Sequence, residues 1–463
     1  MKYTLIYIPL LFLGFSWDML HAESCASNWQ AGVAKLDITP SQSMWMAGYG
    51  ARESPSEGTL HRLWAKALVV KDANGHRGVL ITTDLVGVPR QISNDIRNGL
   101  QNKLGLERSQ IILNTSHTHT GPVLSNALFD IYPLTDAEIE KINSYSKELV
   151  ERIIDVVQEA HAQMEPVRIF SGNGVARFQV NRRNNTEATL VEQTSLSGPN
   201  DHAVPVLKLM KMDGKMMAVA FGYACHPTVL GINQWSGDYP GFAQIALEEA
   251  HPGAMALFFQ GAGADQNPLP RRTIPLAKQY GRTLAAAVDR VLEEDMQQLD
   301  PKLRTSYREI PLNLNAPPSI ATLEKQCESS IAYYARWAKR LLKETNAGAV
   351  FPESYPFPLQ VWKMGNQAIF TLGGETVVGY SIQLKEIFGY DSFVMGYTND
   401  VMSYIPTATI LHEGGYEGAS AQIVYGLHGT WTYDVESVIM ENIVDLAKSA
   451  GIAPPQNHLI DHR

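Results

Sequence analysis

Cysteine is scarce in this 463-residue chain: only Cys25, Cys225 and Cys327 occur. Three thiols make no disulfide framework. One bridge, Cys225 to Cys327, stays open against the alternative of two buried free thiols. Basic clusters are also missing. The formal net charge is -9, and the lysines and arginines are scattered, which argues against nucleic acid or an anionic membrane surface as partner. Beyond the N-terminus no apolar run is long enough for a transmembrane helix. Internal repeats, low-complexity segments and charge blocks are absent.

What is there begins with a leader. Lys2, the short apolar run Leu5 to Phe15 and small residues ending at Ala22 or Ala26 read as a secretory signal over residues 1–22. The run is too short for a stable membrane anchor. An exported protein, periplasmic or secreted, is expected, with its fold over residues 27–455. A hydrophobic content of 45% is ample for a large core.

The patterning predicts strands at Trp64–Lys71 and Arg77–Asp84, joined by the turn Asp72-Ala-Asn-Gly75. Val204–Met212 and Lys215–Ala224 form a predicted hairpin about Asp213-Gly214. Further strands are expected at Gln110–Leu113, Ala254–Gln260, Gln367–Leu372 and Ser392–Gly396. Helical periodicity marks Asp136–Met164, Gly241–Ala250, Leu276–Glu294, Ser319–Thr345 and Val435–Ala450. Pro311–Pro318 is the one stretch that reads as a subdomain boundary. The fold class is mixed α/β, a single large domain with mixed sheets flanked by helices.

Polar clusters recur just after expected strands, where ligands gather in α/β sheets. Asn114-Thr-Ser-His-Thr-His-Thr-Gly-Pro122 follows a buried apolar run. In an extended chain His117 and His119, at i and i+2, project to the same side. The alternative is a solvated strand that alternates Thr with His. Other clusters are Tyr223-Ala-Cys-His226-Pro, the loop Gly261 to Pro268, Leu372-Gly-Gly-Glu375, Asn399 to Tyr404 and Gly415 to Ser420. Each has a structural reading: a satisfied histidine before proline, turn-forming Asp265 and Asn267, Glu375 as a helix cap, and half-buried Tyr404 and Tyr416. Together they supply two imidazoles, a carboxylate and a phenol from separated loops, a donor set that suits zinc with room for water or a substrate oxygen.

The histidine segment resembles the signature of the neutral (alkaline, non-lysosomal) ceramidases. The resemblance extends in order through Ala31–Pro40, Thr83-Asp84-Leu85, Val180-Asn181-Arg182, Ala224-Cys-His226-Pro227, Ser236-Gly-Asp238, Gly373-Gly-Glu375, Tyr404-Ile405 and Tyr416-Glu417-Gly-Ala-Ser420. It implies a ceramidase-like catalytic domain with His117, His226, Glu375 and Tyr404 as Zn2+ ligands. It also implies His119 and Arg182 beside the scissile amide, with Tyr416 as a second site tyrosine. The chain departs from the family at Asn267, which stands where ceramidases carry a serine; an amide side chain cannot be that nucleophile. No C-terminal immunoglobulin-like domain is expected.

The leading expectation is a zinc-dependent hydrolase of an amide bond using activated water, with His119 or Asp265 accepting the proton. The substrate would be a small molecule, lipid or glycan. A second reading keeps the metal set but acts on carbohydrate, as a deacylase or uronate lyase, with Trp45, Trp235 and Trp362 stacking on sugars. A third is a non-catalytic binding protein with a structural zinc.

Overall fold

A computed structural model describes residues 29–128 and 130–454. The expected leader and Cys25 lie outside the described residues. A nine-stranded mixed sheet organises the first part of the chain. Its order is Met255–Gln260, Met216–Tyr223, Ala203–Lys211, Glu165–Val175, Trp29–Asp37, Trp64–Lys71, Arg77–Thr83 and Ile111–Thr115, with Gln297–Gln298 added onto Glu165–Val175. The pairs at the two ends of this order are parallel and the others antiparallel. A second sheet carries Leu303–Asn313, Ser354–Met364, Gln367–Leu372 and Phe393–Met395.

Both faces of the large sheet are covered, so its strands read as nearly continuous apolar runs. Within Trp64–Lys71, Ala67 and Val69 join a cluster with Ile96, Leu149 and Ile153 of the helices Arg90–Leu104 and Asp136–Ala162. Leu68 and Val70 point the other way, into a cluster with Trp362, Ile369 and Phe393 of the second sheet. The period of two thus builds a helix–sheet–sheet stack. The long helix starts at a capping box: Thr135 accepts from the Glu138 N–H, and the Glu138 carboxylate returns to the Thr135 N–H. The helices Asp238–Ala250 and Ile274–Glu293 cover the sheet at its other end.

The two sheets meet at a seam around Asn114. Its side chain donates to the carbonyl of Gly396 at 2.8 Å and accepts from the Gln260 N–H at 2.7 Å. Asn399 extends the seam, donating its N–H to Leu113 at 2.7 Å and accepting from the Leu113 N–H at 3.1 Å.

Most predicted elements are present within a few residues. The hairpin turns at Gly75, whose φ of +87° suits glycine. Three expectations are corrected, and the open choice at the cysteines is resolved. Ser319–Thr345 is two helices, Ile320–Gln326 and Ala332–Asn346. Between them Ser329 accepts from the Ile331 N–H at 3.2 Å, and such local bonds compete with the helix. Pro311 is no boundary; it lies in the edge strand Leu303–Asn313, opposite Pro356, a place where a missing N–H is tolerated. Of the two cysteine alternatives the free thiols hold: Cys225 is buried and Cys327 half-buried. Trp45, Trp235 and Trp362 are all buried, so none is placed to stack on a sugar. Among the described residues no helix is long and apolar enough to cross a membrane.

Candidate active site

The strand Ile111–Thr115 ends before the histidines. Ser116 donates to the carbonyl of Thr83 and His117 to that of Leu85, and His117 adopts a left-handed φ of +63°. This corrects the picture of two histidines on one side of an extended strand. A residue other than glycine in that region is strained, and here the turn aims His117 inward. The Nε2 atoms of His117 and His119 then lie 3.1 Å apart.

His226 arrives from the strand Met216–Tyr223. Its N–H donates to Gln266 at 3.0 Å, and its Nδ1 lies 3.0 Å from the Gly263 carbonyl. Gly263 has no room for a Cβ, which would sit 2.4 Å from the carbonyl carbon of Ala224. Glu375 and Tyr404 come from a short parallel pairing, Glu375–Thr376 with Tyr404–Ile405, in which Glu375 faces Tyr404 in register. The helix-cap reading of Glu375 is not what forms. Asp265 takes that place, accepting from the Val378 N–H at 2.8 Å at the start of the helix Val378–Phe388.

These pieces converge. Glu375 Oε2 is 3.1 Å from Nε2 of both His117 and His226. Tyr404 Oη is 3.3 Å from His226 Nε2. Tyr425 donates to Glu375 Oε1 at 2.6 Å. Both His117 and His226 place Nδ1 on a backbone carbonyl, Val86 and Gly263. A carbonyl only accepts, so Nδ1 carries the proton and Nε2 presents a lone pair. Nitrogen and carboxylate lone pairs facing one another repel unless a cation lies among them. The ligand atoms of His117, His119 and His226 all lie within 4.8 Å of one another, and Glu375 Oε2 is in reach of two of them; imidazole nitrogens and a carboxylate so gathered fit a metal ion.

The electrostatics agree with that fit. Burial, with Arg182 next, lowers His226 to about 4, so the ring is neutral near pH 7. Burial, then the charge on Glu375, pushes the Tyr404 phenol up, against the pull of Arg182.

Arg182, not Arg183, reaches the centre. It donates to Tyr404 at 3.1 Å and to Glu417 at 2.7 Å. Arg183 pairs outward with Glu413 and Glu417. Tyr416 is 41% exposed, and its ring lies 5.2 Å from that of Tyr404. His119 is 9% exposed, against 1% for His117 and 0% for His226.

The remaining candidates play different parts. Asp265 Oδ1 is engaged by Val378, Oδ2 accepts from Asn181 at 3.1 Å, and its carbonyl accepts from the Arg182 N–H. It holds the Arg182 loop and the start of a helix together. Asn267 pairs with Val180 across a short ladder and accepts from Thr228 at 3.4 Å. Sequence reading missed Tyr425, Glu417, Tyr49 and Arg52. Glu417 had a signal in its adjacency to Tyr416. Tyr49 follows Gly48, which leaves room for His119: a Cβ there would lie 2.4 Å from the ring, a closeness that only the fold reveals. Tyr425 and Arg52 had none.

Comparison with known proteins gives one family. The model described as "Neutral/alkaline non-lysosomal ceramidase, N-terminal" matches residues 29–266. Neutral ceramidase B of Dictyostelium discoideum is 26% identical over 236 residues, 48% of this chain and 32% of that protein. The neutral ceramidase of Pseudomonas aeruginosa is 24% identical over 279 residues, 58% of this chain and 40% of that one. The chain thus spans well under half the length of these relatives. A solved structure described as "Ceramidase complexed with C2" superposes with a TM-score of 0.72 at 19% identity, over 92% of this chain and 76% of that one. That likeness shows the shared fold.

Proposed function

Because the chain belongs to the neutral/alkaline non-lysosomal ceramidase family, we propose that it is an exported zinc-dependent hydrolase cleaving an amide (N-acyl) bond. The convergence of His117, His226 and Glu375, with Tyr404 alongside, carries this reading. These four residues would hold the ion. When bound, zinc polarises a carbonyl and lowers the pKa of water to about 7.

The chain's own groups do the rest. Asn267 cannot act as a nucleophile, so water attacks the amide carbon. His119 Nε2, on the most exposed of the three imidazoles, takes a proton from that water and returns it to the departing amine. Burial, then His117 and His226, lowers the His119 pKa well below its ordinary value, leaving the ring neutral and able to accept. Arg182 and Tyr416 flank the place where the carbonyl oxygen becomes an oxyanion; loss of one such donor typically costs about 10²–10³ in rate. The bond from Arg182 also orients the Tyr404 phenol. Asp265, with both oxygens engaged, is a positioning residue rather than the base.

The test is metal content measured with activity. Purified protein is assayed on short and long N-acyl amides, including a fluorescent ceramide, before and after chelation and zinc return. About one zinc per chain and chelator-sensitive release of acid and amine are expected. No bound metal, with no activity on adding it, would overturn the proposal.

A further inference from the structure

One wall of the site is cationic. The Tyr49 ring lies 4.7 Å from that of His119, tilted by 60°, and its hydroxyl donates to the carbonyl of Leu230 at 2.9 Å. Two guanidinium groups lie over that same ring, Arg272 at 4.9 Å and Arg52 at 5.4 Å. Arg52 also donates to the His119 carbonyl at 2.8 Å. A third guanidinium, that of Arg271, donates to Thr228 Oγ1 at 3.3 Å. The same Thr228 hydroxyl donates to Asn267. Arg271 is therefore two hydrogen bonds from Asn267, and Arg52 and Arg272 are one ring from His119.

Carboxylates do not balance this wall. Among the described residues Arg52 and Arg272 are in no ion pair, and Arg271 has only Glu187, at 3.8 Å. The neighbouring Asp238 carboxylate is committed elsewhere, accepting from the N–H groups of Leu230 and Tyr239 at 2.8 and 2.6 Å. Burial also pushes it up to about 7. Two guanidinium nitrogens, Nε of Arg52 and of Arg271, are buried without a hydrogen-bond partner. An unmet buried donor is costly, and a charged one more so. Arg272 holds its position at a backbone φ of +86°, and its N–H donates to the Val229 carbonyl. Three cations gathered in a chain of net charge -9 call for an anion from outside.

We propose that this wall binds an oxyanion on the substrate. The amide cleaved then carries a carboxylate, phosphate or sulfonate near the scissile bond, in place of the neutral head group of ceramide. This rests on the amide-hydrolase reading above. Planar guanidinium forks suit the two or three oxygens of such groups. Arg271 and Arg272 are specificity-determining residues; Arg52 positions Tyr49 and the His119 backbone.

The test compares acyl-matched amides: N-acylglycine, N-acyltaurine and N-acyl phosphoethanolamine against neutral N-acylethanolamine. The anionic amides should be favoured in kcat/KM, with the best of the three naming the oxyanion. Raising the ionic strength should erode that preference. In R271Q/R272Q the anionic-to-neutral ratio should fall by at least about tenfold. R272Q alone, at an exposed side chain, should lower it in the same direction and guards against a folding defect in the double variant. A neutral amide preferred by the parent, or a ratio unmoved by both variants, would overturn the proposal.

A binding arm separates this from failure of the amide reading. Non-hydrolysed N-alkylglycine should bind the parent more tightly than R271Q/R272Q by calorimetry, whether or not any amide is cut. Equal binding by both would overturn the oxyanion wall. Tight binding of an oligouronate, with release of an unsaturated product absorbing in the near ultraviolet, would overturn the amide substrate while leaving the wall.

Discussion

The large sheet and the segment beyond it bring different chemistry to one centre. Strand ends at Thr115 and Tyr223, together with the loop after Gln179–Asn181, deliver His117, His119, His226 and Arg182. The segment from Glu375 to Tyr425 delivers oxygens: the Glu375 carboxylate and the phenols of Tyr404, Tyr416 and Tyr425. Nitrogen donors come from one region and oxygen donors from the other. The family match at residues 29–266 contains all the nitrogen donors and none of the oxygens. The structural likeness, over 92% of the chain, reaches both. The two regions thus supply complementary halves of one centre, and the chemistry needs both equally.

The comparison breaks first at the metal. H226A, from the nitrogen side, and E375Q, from the oxygen side, should each lose bound metal. Turnover in each should fall to below about a thousandth of the parent. Metal analysis beside kcat reads both variants. If E375Q kept its metal and its rate, the oxygen side would not belong to the centre.

His119 sharpens the comparison within the nitrogen side. H119A should retain metal yet lose about 10²–10⁴ in kcat. Unchanged turnover would remove His119 from proton transfer; loss of metal would make it a ligand.

The smallest effect lies where the two regions touch. Asp400 sits in the seam, its carbonyl accepting from the Gly374 N–H at 2.7 Å and its carboxylate from Tyr355 at 2.8 Å. Burial pushes its carboxyl up to about 7, whereas an unfolded Asp ionises at about 3.9. Between those values the folded chain keeps a proton that the unfolded chain has released. Stability from this group therefore falls as pH rises from about 4 to about 7. D400N has no such loss. Unfolding free energies from denaturant titration should swing toward the variant by on the order of 1–3 kcal/mol between about pH 5 and about pH 8. A constant difference across that range would mean that Asp400 is ionised when folded.

Legibility cut across this divide. Trp64–Lys71 was read to the residue because its apolar run has both faces buried. The strands Glu165–Val175, Leu303–Asn313 and Ser354–Met364 went unread, since prolines and polar residues interrupt their alternation and only cross-strand pairing holds them. The helix Arg90–Leu104 was also missed: no side chain caps its start, and no acidic residue lies in its first turn. At the site, His117, His226, Glu375 and Tyr404 were found as ordered motifs. Tyr425 was not, because its role is set by a contact 50 residues away in sequence and by nothing local. The left-handed turn at His117 was equally invisible: histidine is enriched at positive φ, but non-glycine residues adopt it too rarely for one histidine to signal the turn.

The spacing of the donors also sets an order of events. His226 meets Glu375 across 149 residues and Tyr404 across 178. As the chain is made from its N-terminus, three imidazoles exist long before any oxygen that faces them. Contacts of such separation form late, after the loops between them have closed. A cation offered to the half-made chain finds only part of its cage. On the proposed function, capture would be a final step of maturation, and the finished centre would pin together two regions synthesised far apart in time.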